Sequence, residues 1–186
     1  MQLTKTPILG LSVIHAQVIE DHRGYFWECY QEERLAQLGI THHFVQENQS
    51  YSKQGTIRGL HYQLAPYAQA KLVRVIAGEI WDVAVDLRQG APSFGQWEGI
   101  MLSAANKKQL LVPKGYAHGF AVLSKDATVV YRCDASYHPA SEAGIHFLDA
   151  TLNIDWKLGS NQPILSKKDE LLPNLAQATI NFRASP

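Results

Sequence analysis

The stretch Lys71-Leu-Val-Arg-Val-Ile76-Ala-Gly78-Glu-Ile80-Trp-Asp-Val-Ala-Val-Asp-Leu87 decides the fold class. Lys71 to Ile76 is rich in β-branched residues and runs out at Gly78. From Ile80 the pattern alternates: Trp81, Val83, Val85 and Leu87 share one face, with Asp82, Ala84 and Asp86 interleaved. A period of two marks a strand, because successive side chains leave opposite faces of the pleat. Ala77-Gly78-Glu79 between the two runs reads as a hairpin turn. Working outward, Ile100 to Leu102, Gln109 to Val112, Gly119 to Leu123 and Thr128 to Cys133 are further short strands. Arg88-Gln-Gly-Ala-Pro92 and Pro113-Lys-Gly115 punctuate them. A short helix is expected from Gln31 to Leu38, closed by Gly39, and a helical turn around Ser166 to Leu172. The first 50 residues read as strand-poor arms or loops over a barrel mouth. Short, evenly spaced strands without a strand–helix–strand rhythm predict an all-β barrel or sandwich, in one domain over 1–186.

A chain of 186 residues buries roughly 70% of its unfolded surface and needs no covalent staples. Its formal net charge is zero, which argues against nucleic acid or an anionic membrane as partner, since both select a basic excess. Cys29 and Cys133 have no metal-like spacing and read as free thiols of a reducing compartment. No charged leader precedes a long apolar run, so a soluble cytoplasmic protein is expected.

The chemistry-bearing residues cluster in a few segments. Gln46, Asn48, Ser50 and Ser52 share one face of an alternating stretch. A wholly polar face is either solvated or the lining of a wet pocket, and the stretch alone leaves both open. Gly55-Thr-Ile-Arg58-Gly-Leu-His61-Tyr-Gln63 follows, then Lys71, then His118 in Pro113-Lys-Gly115-Tyr-Ala-His118. A histidine in a strand is more often structural than catalytic. Cationic and titratable groups on neighbouring strands of a small barrel shift that balance toward an anionic ligand.

A metal-binding cupin barrel pairs His-x-His and a later Glu with Pro-x-Gly-x-x-His. Here Pro113, Gly115 and His118 keep the second half, but Gln63, Tyr67 and Ala68 stand where the first half needs ligands. Two imidazoles make a poor divalent-metal site, so no metal and no cofactor are expected. Without a metal, His61 suits a general base near neutral pH. Tyr131, in the middle of a strand, suits a general acid or plain core packing. Lys71 suits charge stabilisation of a developing oxyanion. Such a set fits proton removal beside a carbonyl and return from the other face.

Several segments together are similar to the dTDP-4-dehydrorhamnose 3,5-epimerase family. They are Asp21-His-Arg23-Gly24-Tyr-Phe26, Gln46-Glu-Asn48-Gln-Ser50, Thr56-Ile-Arg58-Gly-Leu-His61-Tyr-Gln63, Ala70-Lys71-Leu-Val-Arg-Val75 and Asp82-Val-Ala-Val-Asp86-Leu-Arg88. Ser93-Phe-Gly95-Gln-Trp97, Pro113-Lys-Gly-Tyr-Ala-His118-Gly-Phe120, and Tyr131-Arg-Cys133 with Tyr137-His-Pro139 complete the resemblance, in order from near Lys5 to near Leu175. It implies a cupin jelly roll, usually a homodimer, acting on the C3 and C5 hydrogens of dTDP-4-dehydro-6-deoxy-D-glucose. It implies His61 as proton acceptor with Asp169 as its carboxylate partner, Tyr131 as proton donor, and Lys71 facing the C4 enolate oxygen. Arg23 and Arg58 resemble diphosphate and sugar contacts, with Gln46, Asn48 and His118 alongside. Phe26, Glu28 and Tyr137 resemble positions near the thymidine, and Glu142 and Lys168 further nucleotide contacts.

Strict alternation places Arg58 and His61 on opposite faces, although the resemblance needs both in one pocket. A bulge at Gly59 is therefore expected. Cys133-Asp-Ala-Ser136-Tyr137 departs from the family's usual Thr-rich run, which leaves open an epimerase acting at one carbon or on another nucleotide sugar. A metal cupin and a non-catalytic sugar-binding module are the remaining alternatives.

Overall fold

The computed structural model describes residues 1–8 and 10–184. Two antiparallel sheets form the body. The first contains β1 (Gln2–Lys5), β2 (Ser12–His15), β10 (Gln109–Val112), β7 (Lys71–Ala77), β12 (Asp126–Cys133) and β5 (Gln46–Lys53), in that order. The second contains β13 (Glu142–Gly144), β6 (Ile57–Gln63), β11 (Tyr116–Val122), β8 (Glu79–Asp86) and β9 (Trp97–Ser103). From β5 to β13 the chain passes back and forth between the sheets, apart from the β8–β9 hairpin. This is the cupin jelly roll. A separate hairpin, β3 (Val18–Asp21) and β4 (Gly24–Trp27), forms a third, two-stranded sheet.

The alternation of the central stretch builds two cores at once. Val73 and Val75 of β7, Ile80 and Ala84 of β8, and Phe120 and Val122 of β11 meet inside the barrel. Val83, Val85 and Leu87 face outward, where Ile145, Phe147, Leu152, Trp156 and Phe182 of the C-terminal segment cover them. Leu72 and Leu111, on the outside of the first sheet, pack against Leu35 and Ile40. Each fully buried aliphatic side chain contributes about 1.5–3 kcal/mol relative to exposure. Both faces of β8 are dry, so Asp82 and Asp86 must find partners within the protein.

Two expectations are corrected. Ala77-Gly78-Glu79 is not a hairpin turn: β7 and β8 lie in different sheets, and Gly78 carries the chain across the barrel edge. A Cβ on Gly78 would sit 2.0 Å from the Asp126 carbonyl oxygen, and φ is +77°. A turn glycine between two β-rich runs marks a reversal, but which sheet receives the second strand depends on where the apolar faces find cover. The first 50 residues, in turn, are not strand-poor, since β1 and β2 extend the first sheet and β3–β4 pair with each other. Their strands have only four residues each, too short for alternation to register.

The helices match their signals. α1 (Glu32–Gln37) ends before Gly39, whose φ is +84°. α2 (Lys167–Glu170) starts at Ser166, whose hydroxyl accepts from the Asp169 N–H. Cys29 and Cys133 are both free thiols. No helix among the described residues is long and apolar enough to cross a membrane.

Candidate active site

One end of the barrel interior is polar, and a pocket of about 660 Å³ opens there. Arg58, His61, Lys71, His118, Tyr131, Lys168 and Asp169 line it, together with Ser50, Ser52 and Phe120. A smaller recess shares His61, Lys71 and Tyr131 and adds Gln46, Asn48, Tyr137 and Glu142. The polar face of β5 therefore lines a wet pocket rather than bulk solvent.

His61 and His118 sit directly opposite each other on β6 and β11. The register slips between His118 and Phe120, where Arg58 rather than the next alternating residue comes opposite Phe120. Gly59 has φ +125°, and its missing Cβ lets the Gly119 backbone close in. Ile57, Leu60 and Tyr62 then share the outer core, while Arg58 and His61 both line the pocket. The irregularity expected at Gly59 is present, and it turns Arg58 inward. Arg58 Nε donates to Ser52 Oγ at 2.9 Å.

His61 Nε2 lies 2.6 Å from Asp169 Oδ1. Burial would raise the Asp169 pKa, but hydrogen bonds from His61, the Ser166 hydroxyl and the Gly59 N–H hold it below the usual carboxylate range. An ionised carboxylate only accepts, so Nε2 is the donor and the free lone pair of neutral His61 is on Nδ1. Asp169 itself is 3% exposed, so the dyad is fixed from behind by a shielded charge.

Burial pushes the Lys71 amine below its ordinary pKa, against the raising pull of Cys133, Asp82 and Glu142. Its Nζ lies 6.0 Å from the Tyr131 ring centre. Burial pushes the Tyr131 hydroxyl up, opposed by Arg58 and by a hydrogen bond with Asn48. Tyr131 and Asn48 are directly opposed across β12 and β5. At the rim, the Tyr137 hydroxyl donates to Glu142 Oε2 at 2.7 Å, and Lys168 Nζ pairs with Glu142 Oε1 at 2.5 Å. Gln46 Nε2 donates to Asn48 Oδ1, and its Oε1 accepts the Tyr137 N–H.

Arg23, Phe26 and Glu28 lie elsewhere. Arg23 and Phe26 belong to the β3–β4 hairpin, which has its own shallow depression. The Arg23 side chain is 79% exposed and pairs with Asp21. Glu28 pairs with Arg34 beside α1. A motif in sequence specifies residue types but not which surface a projecting hairpin meets.

One site residue escaped the sequence reading. Asp82 Oδ1 lies 2.6 Å from His118 Nε2, making a second His–carboxylate pair under the same pocket. Its signal was an acid on the inward-facing beat of an apolar strand. Where a metal cupin needs ligands, Gln63 instead donates to the Tyr67 carbonyl and accepts from the His138 N–H. Among the described residues no group of three His, Cys, Asp or Glu side chains could hold a metal ion.

The family model described as dTDP-4-dehydrorhamnose 3,5-epimerase matches residues 5–177. A protein of that name from Shigella flexneri is 46% identical over 170 residues, covering 91% of this chain and 93% of the relative. A dTDP-4-dehydrorhamnose 3-epimerase from Streptomyces niveus is 38% identical, covering 96% and 86%. The crystal structure of dTDP-6-deoxy-D-glucose-3,5-epimerase from Legionella pneumophila, in complex with dTDP-4-keto-L-rhamnose, superposes with a TM-score of 0.91 at 50% identity. It covers 95% of this chain and 93% of that one.

Proposed function

Since this chain belongs to the dTDP-4-dehydrorhamnose 3,5-epimerase family, we propose that it inverts C3 and C5 of dTDP-4-dehydro-6-deoxy-D-glucose, giving dTDP-4-dehydro-L-rhamnose for rhamnose biosynthesis. The observation that carries this reading is the His61–Asp169 pair at 2.6 Å, in one pocket with Lys71 and Tyr131. The C4 ketone makes the hydrogens on C3 and C5 acidic. His61 Nδ1 takes one of them, and the electron pair moves to O4 as an enolate. Asp169 stabilises the imidazolium that forms. Lys71, on the pocket wall, opposes the negative charge on O4. Tyr131, kept protonated by burial, returns a proton to carbon from the opposite face. Bulk water reprotonates the tyrosinate, His61 releases its proton, and the cycle repeats at the second carbon.

Arg58, His118, Gln46 and Asn48 serve as sugar and diphosphate contacts in this reading, and Tyr137, Glu142 and Lys168 as nucleotide contacts. For Arg23, Phe26 and Glu28 to touch substrate, the hairpin must reach the pocket of a second copy, so the reading includes a homodimer. The whole chain acts as one epimerase domain, without a metal or cofactor. The two free thiols support a cytoplasmic setting.

The test is NMR of the purified protein with the dTDP-keto sugar in heavy water. Deuterium at both C3 and C5 is expected, and no exchange at either carbon would sink the reading. Resemblance to a relative named as a 3-epimerase favours a second reading, inversion at one carbon. Deuterium at one carbon only would establish it.

A further inference from the structure

Gln46 and Asn48 are wall residues in the reading above, yet their hydrogen bonds run in one direction, from the rim toward the proton donor. The register of β5 on β12 sets Cys133 opposite Gln46 and Tyr131 opposite Asn48. Gln46, Asn48, Tyr131 and Tyr137 line the same small recess. Side chains directly opposed on one face of an antiparallel pair stand about 5 Å apart at Cβ, within reach of a hydrogen bond.

The chain of bonds starts at a group that has no choice of role. The backbone N–H of Tyr137 can only donate, and Gln46 Oε1 accepts it at 2.8 Å. The other end of that amide is therefore the NH2 group, which donates to Asn48 Oδ1 at 3.0 Å. The Asn48 oxygen faces Gln46, so its NH2 group faces β12, where Nδ2 donates to Cys133 Sγ at 3.9 Å. That leaves a second N–H on the same nitrogen, and Tyr131 is the residue directly across. The Asn48 amide and the Tyr131 hydroxyl share a hydrogen bond. An amide nitrogen only donates, so the phenol oxygen is the acceptor.

We propose that Gln46 and Asn48 form a one-way amide relay from the Tyr137 backbone to Tyr131, in which Asn48 is a positioning residue that donates to the phenol oxygen and leaves the tyrosine's own proton aimed into the pocket. With the amide reversed, Asn48 Oδ1 would accept that proton and hold it away from substrate. The same N–H stabilises the tyrosinate once its proton has gone to carbon. Each amide in such a chain polarises the next. The direction in which Asn48 moves the Tyr131 pKa agrees, downward against burial. The proposal rests on the reading of Tyr131 as proton donor, and it ties the donor's orientation to the rim residue Tyr137.

The experiment titrates Tyr131 in the full-length protein without substrate, by fluorine NMR of protein labelled with 3-fluorotyrosine. The signal is assigned by its loss in Tyr131→Phe. Asn48→Leu keeps the branched shape without a donor, and Gln46→Met keeps the length but frees the Asn48 amide to turn over. Around Tyr131 stand Lys71 of β7, Cys133 of its own strand, Arg58 and His61 of β6, and Glu142 of β13, with His118, Lys168 and Asp169 also on the pocket wall. Neither variant changes any of these charges. The Tyr131 midpoint is expected to rise by about one pH unit in Asn48→Leu. It should rise by less in Gln46→Met, although Gln46 is not the residue opposite Tyr131. An unchanged or lower midpoint in Gln46→Met overturns the relay, because an isolated wall residue would leave Tyr131 in place. If Asn48→Leu does not fold, Gln46→Met decides alone. With the dTDP-keto sugar in heavy water, both variants should keep exchange at the acidic carbons while inversion falls about tenfold or more. Exchange and inversion lost in equal proportion would mark Gln46 and Asn48 as substrate contacts only, and would overturn the proposal. Because the titration needs no substrate, it stands apart from the exchange experiment that tests the reaction itself.

Discussion

Nε2 of His61 lies 2.6 Å from Oδ1 of Asp169, although the two residues are 108 positions apart in the chain. Three local features produce that contact. The Gly59 irregularity sets the rotation of β6, Ser166 starts α2 so that Asp169 lies in its first turn, and the Gly59 N–H is also a hydrogen-bond donor to Asp169. The base and the inward turn of Arg58 thus depend on the same glycine.

Replacing His61 with Asn should lower kcat by about 10²- to 10⁴-fold, the usual worth of a positioned general base. Asp169→Asn should cost about 10- to 100-fold, since the ring loses its anionic anchor but keeps its place. Initial rates of dTDP-keto sugar conversion measure both. An Asp169→Asn enzyme as active as the parent would remove the dyad from the mechanism.

Tyr131→Phe should separate the two halves of the reaction. Proton removal by His61 remains, so hydrogen at the acidic carbons still exchanges with heavy water. Return from the opposite face fails, so inverted product falls by about 10²-fold or more. Because burial raises the pKa of the Tyr131 hydroxyl, the parent enzyme should hold its donor protonated through neutral pH. Equal loss of exchange and inversion would show that Tyr131 is not the donor.

Gly59→Ala should be poorly tolerated for a reason unrelated to substrate contact. Its Cβ would meet Gly119 Cα at 2.5 Å and the His118 carbonyl oxygen at 2.7 Å, with φ at +125°. The strands must separate, at a cost of about 2 kcal/mol or more. Thermal unfolding should show a lower Tm, with activity lost even where the variant stays folded. A variant with parental Tm and kcat would refute the close packing of β6 on β11.

Arg23→Ala tests the hairpin. The side chain is highly exposed and bonded, among the described residues, only to nearby Asp21, so Tm should be unchanged. In the dimer reading, KM for the nucleotide sugar should rise about tenfold or more with kcat largely kept. Light scattering should report a dimer for parent and variant alike. A monomeric parent enzyme, or an unchanged KM, would detach Arg23 from the site.

Stability should fall in acid. Burial would raise Asp86, Asp134 and Asp169, but their hydrogen bonds and ion pairs outweigh it and hold all three below the ordinary carboxyl value of 3.8. In the unfolded chain these carboxyls take up protons first, as pH drops past that value. The stability they contribute is complete above it and is lost as pH falls through their lower folded values. Urea midpoints at pH 7, 4 and 3 should decrease. In Asp86→Asn, which breaks the pair with Arg88, the neutral midpoint should be lower and the acid decline shallower. Parallel curves for the two proteins would contradict this.

The sequence by itself determined the strand-rich class, both helices and the chemistry of the pocket walls. It could do so because side-chain alternation and capping are local: Lys71 and Val73 must share a face, and Ser166 must start a helix. The failed metal pattern at Gln63, Tyr67 and Ala68 was equally local. Tertiary structure alone decided which sheet each strand joins, since Gly78 permits a reversal or a crossing, and only cover for the apolar faces selects between them. It also decided the partner of each buried charge. Asp82 in an apolar strand announces the need for a partner, but that His118 meets one of its oxygens and none among the described residues meets the other follows from the closure of the barrel. The position of Arg23 and Phe26 away from the pocket has the same origin, because a hairpin packed on little of its own chain is placed by whatever surface it finds.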